Sequence, residues 1–170
     1  ERLAAPVVSV GAPDDPRLAA YSDLPAATAA ARGVFVAESR LVVRRLLEAG
    51  RFPVRSVLGT AAAIAALDDL LGPVPEVLVA SDAVIQAVVG FTFHRGCLAV
   101  GERRADVEPA ALHGGRLLVV LERLSNPDNV GGVFRNAMAF GADGVILGPG
   151  CADPLYRRAI RVSIGATVAV

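Results

Sequence analysis

From residue 33 onward, short apolar runs alternate with amphipathic stretches. GVFVAE (33–38) reads as a buried strand, and SRLVVRRLLEAG (39–50) as a helix with Leu41, Val42, Leu46 and Leu47 on one stripe. Ser39 supplies the N-cap and Gly50 the stop. The pattern then repeats. VRSVLG precedes TAAAIAALDDLLG, capped by Thr60 and closed by Gly72; PEVLVA precedes SDAVIQAVVG, capped by Ser81; CLAVG (97–101) is a fourth strand. No hairpin signal separates these elements, which predicts an α/β fold with a largely parallel sheet over residues 32–101. Residues 1–31, broken by Pro6, Pro13, Pro16 and Pro25, read as a lead-in, and the polar 102–115, with Pro109 and Gly114–Gly115, as a linker. A second α/β unit occupies 116–170. It comprises a strand at 116–121, a loop at 122–128, a helix over about 129–140 and a strand at 144–147. A helix then opens at Asp153–Pro154, and ATVAV (166–170) reads as the start of another buried strand. A parallel sheet seldom stops there, so the chain is expected to be the front part of a longer protein.

Composition changes this picture little. Hydrophobic residues make up 54% and the mean hydropathy is +0.51. Yet the longest weakly polar stretches, such as VLGTAAAIAAL, run to about 11 residues against the roughly 18 a membrane span needs. No charged n-region with an apolar block marks a signal peptide. Cys97 and Cys151 fit neither a metal spacing nor a disulfide framework, which suits reduced thiols in a cytoplasmic protein. The 17 basic residues, all arginine, balance 17 acidic ones. Their distribution says more than their sum. Arg32, Arg40, Arg44, Arg45, Arg51 and Arg55 crowd one segment, and Arg157, Arg158 and Arg161 another. Such local patches suit phosphate contacts, or else ion pairing on a solvated face.

The segment NPDNVGGVFRNA (126–137) follows the apolar run RLLVVL. At helical spacing Val130, Val133, Phe134, Ala137, Met138 and Phe140 share one broad face, while Gly131, Gly132, Arg135, Asn136 and Ala139 share the other. One charge among small side chains suggests that another backbone or a ligand packs there; an exposed arginine on a glycine-softened helix has the same spacing. NPDNVGGVFRNA, followed after one strand by DPLYRRAIRVSIGA, resembles the first two sequence motifs of the SpoU (TrmH-like) RNA ribose 2′-O-methyltransferases of the SPOUT group. The resemblance rests on Asn129–Val130, Gly131–Gly132, Arg135 and Ala137, then on Ser163, Gly165 and Ala166. More loosely, FVAESRLVVRRLLEAG and FHRGCLAV are similar to the opening and closing elements of that family's small α/β/α RNA-binding domain.

The resemblance implies a knotted α/β catalytic domain and methyl transfer from S-adenosylmethionine to a ribose 2′-hydroxyl of ribosomal or transfer RNA. It implies Arg135 as the catalytic residue, with Asn129 helping to position it. Arg40, Arg44, His94, Arg95, Arg157, Arg158 and Arg161 become candidate RNA contacts, Ser163 a residue bordering the cofactor, and a homodimer the expected assembly. With a pKa above about 12, making arginine neutral at pH 7 costs at least about 7 kcal/mol. A cationic clamp on phosphate and alkoxide is the cheaper role. The family's third motif would lie beyond residue 170, so this stretch alone is expected to be inactive, without a complete cofactor site. A non-catalytic RNA-binding protein is the alternative. A Rossmann-type nucleotide site is disfavoured, because NVGGVFRNA is not G-x-G-x-x-G and no acidic residue follows GVIL.

Overall fold

Strands β1 (Val7–Ser9), β2 (Val34–Glu38), β3 (Val54–Gly59), β4 (Val77–Val79) and β5 (Cys97–Glu102) form a sheet in the order β1-β4-β3-β5-β2. The structure is a computed structural model and describes residues 7–22, 26–90, 96–105 and 107–170. Because strand side chains alternate, each apolar run feeds two cores at once. Phe35, Ala37, Val57, Val77, Cys97 and Ala99 face helices α2 (Arg40–Ala49) and α3 (Ala61–Ala65). Val34, Val36, Leu58, Leu78, Leu98 and Val100 face α4 (Asp82–Val89) and the 3-10 turn Pro16–Tyr21, which precedes α1 (Ala26–Ala31) in the chain. Phe35 lies over Gly101, its register partner, where a Cβ would strike the ring, and meets Phe52 edge-on at 5.2 Å. The caps are those the sequence signals: Ser39, Thr60 and Ser81 accept from the amides of Val42, Ala63 and Val84, and Gly50 ends α2 with left-handed backbone.

Four expectations change here. β1, β4 and β3 are parallel, but β5 runs antiparallel to both β3 and β2. An alternating run looks the same in either direction, so periodicity is silent on this reversal. The lead-in is not a bystander. β1 pairs with β4, Leu18 and Tyr21 are fully buried, and the Tyr21 hydroxyl bonds Ser56 Oγ at 2.6 Å. The C-terminal ATVAV forms no strand. Ile164 and Gly165 adopt left-handed backbone (φ 54° and 78°), and Ala166–Val168 coils into a 3-10 turn. Finally, Asp153–Pro154 opens a turn rather than a helix: the Asp153 carboxylate accepts from Leu155 N at 2.9 Å, and α6 spans only Arg157–Val162.

Beyond a 3-10 turn at Pro109–Leu112, β6 (Leu118–Leu121) pairs in parallel with β7 (Gly144–Leu147), and α5 (Pro127–Ala139) crosses between them. Asp143 pins the strand entries together by accepting from Arg116 N and Leu117 N at 2.7 and 2.9 Å. Those two amides hold its carboxyl below the usual carboxylate range. α5 begins at Pro127, two residues before the sequence expectation, because Asn126 caps it. Val130 and Phe134 pack on Ala166 in a small third core, whereas Phe140, expected on the apolar face, is 80% exposed. α6 and the 3-10 turn after it join the two halves: Ile160 and Val168 lie in the same core as Phe35 and Leu46. Among the described residues no helix is long and apolar enough to cross a membrane.

Candidate functional site

The site is built on the first turns of α5. Asn126 Oδ1 accepts from Asp128 N at 2.8 Å and Asn129 N at 3.4 Å, with Pro127 at the first helical position. That cap is signalled by Asn directly before Pro, a cue the sequence reading passed over. Asn129, Arg135 and Asn136 are exposed and Gly132 is half-buried. At about 100° and 1.5 Å per residue, Asn129 and Arg135 lie roughly 120° and 9 Å apart, with Gly132 between them. Among the described residues no hydrogen bond joins the two, and none holds Arg135.

The glycine pair divides its work. A Cβ on Gly131 would sit 2.7 Å from Ala159 O and 3.2 Å from both Ser163 N and Val162 Cβ, so Gly131 is where α6 approaches α5. Gly132 has nothing within 4 Å of its missing Cβ. One glycine admits a backbone of the same chain, and the other leaves open surface beside Arg135. Ser163 is fully buried; its hydroxyl donates to Ile160 O at 3.0 Å and accepts from Thr167 N at 3.4 Å. It faces its own helix end rather than open space.

Beside α5, the loops at the carboxyl ends of β6 and β7 are laced together. Gly148 N donates to Leu121 O at 2.7 Å, Arg123 N to Pro149 O at 3.1 Å, and Ala152 N to Leu124 O at 2.8 Å. Cys151 Sγ donates to the same Leu121 carbonyl at 3.4 Å. The crevice outside the carboxyl ends of strands is where open α/β sheets take ligands.

The arginines separate into two groups. Arg158 forms a fork with Asp128 at 2.6 Å through both Nε and Nη2, and this guanidinium holds the Asp128 carboxyl below its ordinary range. Arg157 Nε donates to the buried Glu38 at 3.4 Å. Arg44 reaches both Asp69 oxygens at 3.0 Å and the Ala66 carbonyl at 2.8 Å. These three are engaged within the chain. Arg40, Arg135 and Arg161 are exposed and, among the described residues, make no hydrogen bond or ion pair. Arg40 and Arg44 line an open cleft of about 580 Å³ between the N-termini of α2 and α3, with Ser39, Thr60, Ala63 and Gly96. Ser39 holds φ 90° there, unusual for a residue with a Cβ. His94 and Arg95, the other candidate RNA contacts, lie outside the described residues.

Residues 116–170 match the SpoU rRNA Methylase family. An uncharacterized tRNA/rRNA methyltransferase of Mycobacterium bovis is 41% identical over 165 residues, which are 93% of this chain and 57% of that protein. The chain thus spans little more than half the length of such relatives. The fold is shared with an rRNA methyltransferase from Sinorhizobium meliloti, with a TM-score of 0.77 at 23% identity over 96% of this chain and 63% of that one. The AdoMet-bound form of that enzyme gives 0.73 at 24% identity over the same shares, 96% and 63%. An RNA 2′-O ribose methyltransferase gives 0.70 at 21% identity over 96% of this chain and 64% of that one. Residues 116–170, which carry the motif around Arg135, thus fit the SpoU rRNA Methylase family model, and over most of its length the chain is similar to proteins named tRNA/rRNA methyltransferases.

Proposed function

We propose that the protein to which this chain belongs methylates the 2′-hydroxyl of a ribose in RNA, with S-adenosylmethionine as the methyl donor. The observation that carries the reading is the open arc of α5. Asn129 and Arg135 flank the bare surface of Gly132, and Arg135 has no partner among the described residues. A ribose-phosphate unit is small enough to lie across Gly132 between the two residues, which are about 9 Å apart along the helix axis. The donor supplies an electrophilic methyl group on a sulfonium. As the O–CH₃ bond forms the S–CH₃ bond would break, the donor would leave as a neutral thioether and the hydroxyl proton would pass to solvent water, while a fixed cation stabilises the developing alkoxide and the neighbouring phosphate. Arg135 fits that role as a guanidinium, and Asn129 offers an amide to orient the sugar.

The laced loops 122–126 and 148–152 fit one edge of a nucleotide-sized donor site. Their backbone donors bond one another and Ser163 bonds its own helix, so the described residues provide a wall rather than a whole pocket. The cleft at Ser39 and Arg40 suits RNA phosphate, and a separate RNA-binding half suits a large folded substrate, favouring ribosomal over transfer RNA. The assembly is proposed to be a homodimer.

The test takes the full-length protein, methyl-labelled S-adenosylmethionine and total RNA from a host lacking the gene, beside Arg135→Ala. Label is expected in a 2′-O-methylnucleoside and lost in the variant. RNA retention without label in either protein would leave a binding module in place of the enzyme.

A further inference from the structure

Between the cleft and the catalytic helix lie two ion pairs, connected to each other through the backbone of α6. Ser39 and Arg40 line the cleft, and the preceding residue, Glu38, ends β2 with its side chain buried. Glu38 Oε2 accepts from Arg157 Nε at 3.4 Å. The next residue, Arg158, grips Asp128 with two bonds of 2.6 Å. Asp128 stands in the first turn of α5, adjacent to Asn129 and on the same stripe as Arg135 two turns on. The rest of the α6 segment is tied to the first half as well. Arg103 forks onto Asp153, Arg45 donates to Ile164 O at 2.5 Å, and Arg51 donates to Ala169 O at 3.3 Å. Ile160 and Val168 sit in the first half's core, and Gly131 lets α6 press on α5 without a side chain between them.

We propose that α6 is a strut setting the position of the catalytic helix relative to the RNA-binding half, and that Glu38, Arg157, Arg158 and Asp128 are positioning residues rather than RNA contacts. The inference deepens the proposed methyltransferase reading and rests on it for its functional consequence. An isolated surface ion pair contributes little, but a bidentate fork joined to a second pair belongs to the exception. RNA held at the cleft then presents its ribose to Arg135 in one register. Arg158 and Asp128 are both solvent-accessible, so reversing either charge leaves the cores intact.

The full-length protein is compared with Arg158→Asp, Asp128→Arg and the double reversal, with Glu38→Gln probing the buried pair. Amide exchange over residues 127–139, RNA affinity at two salt concentrations, and kcat and KM are measured. Each single reversal, and Glu38→Gln more weakly, is expected to speed exchange in α5 at least threefold and lower kcat about tenfold. RNA affinity and KM should stay within about twofold, and the double reversal should restore exchange and kcat together. Unchanged α5 exchange in both single reversals would overturn the strut. So would a loss of RNA affinity in Arg158→Asp with a shallower salt dependence that Asp128→Arg fails to restore, which marks a phosphate ligand. If the unmutated protein transfers no methyl group, the enzyme reading falls while the exchange data still decide the strut.

Discussion

The five-stranded sheet of residues 7–102 buries both faces, with Phe35 and Val57 under α2 and α3 and Leu58 and Leu98 under α4. Among the described residues, the β6–β7 pair has α5 as its one α-helix packed alongside, with Leu112 of the preceding turn against Gly144. Its core reduces to Val130, Phe134 and Ala166, and Val120 is 67% exposed. The second half compensates by inserting Ile160 and Val168 into the first half's core. The second half is therefore anchored on the first, whose sheet faces are covered mainly by its own helices, with Ile160 and Val168 filling part of one core. The same asymmetry separates the chemistry. The candidate catalytic helix sits on the lightly packed half, and the ion pairs that position it reach back to the well-packed one.

The largest effects would come from breaking that dependence. Leu58→Ala, in the fully buried core of the first half, should cost about 2–5 kcal/mol and lower the protection of both halves together. Phe134→Ala should release α5 while leaving the five-stranded sheet protected. Urea unfolding followed by region-resolved amide exchange decides the matter; a sheet that opens with Phe134→Ala would make the dependence mutual.

The glycine pair sharpens the comparison at the junction. Gly131→Ala places a Cβ 2.7 Å from a backbone carbonyl that cannot step aside, and should destabilise by about 1–3 kcal/mol. Gly132→Ala meets open space on a helix and should stabilise by up to about 1 kcal/mol. Opposite shifts in Tm are expected, with methylation falling in Gly132→Ala despite its added stability.

Acid should loosen the second half at its ties. Asp128 and Asp143 have carboxyls held below the ordinary range, by the Arg158 fork and by the Leu117 and Arg116 amides respectively. Their contribution is present above the unfolded carboxylate pKa, about 3.9, and fades as pH falls through the lower folded values. Asp128→Asn should flatten the acid limb of α5 exchange without moving that of β2 or β5. The smallest effect is chemical. Burial pushes the Cys97 thiol up to about 12, so it stays protonated at neutral pH, and its contribution, complete below the unfolded thiol pKa of about 8.5, is lost progressively as pH rises from there through the folded value. A thiol reagent at pH 8 should label the half-buried Cys151 and reach Cys97 only on unfolding.

The sequence by itself determined what short-range physics decides. Short apolar runs marked β2, β3 and β5 as buried strands, cap residues fixed the starts of α2, α3 and α4, and the motif around Arg135 singled out one cation among small side chains. Each of those signals acts within a few residues. Only the tertiary structure decided the direction of β5, the place of Leu18 and Tyr21 in the core, and the turn that replaces a strand after Gly165. It also decided which arginines stay free. Arg157 and Arg158 look alike in a basic run, but their partners lie 119 and 30 residues away, and a partner at that distance leaves no mark on local spacing. Gly131 and Gly132 are adjacent and chemically identical; the approach of α6 to one of them alone divides packing from open surface.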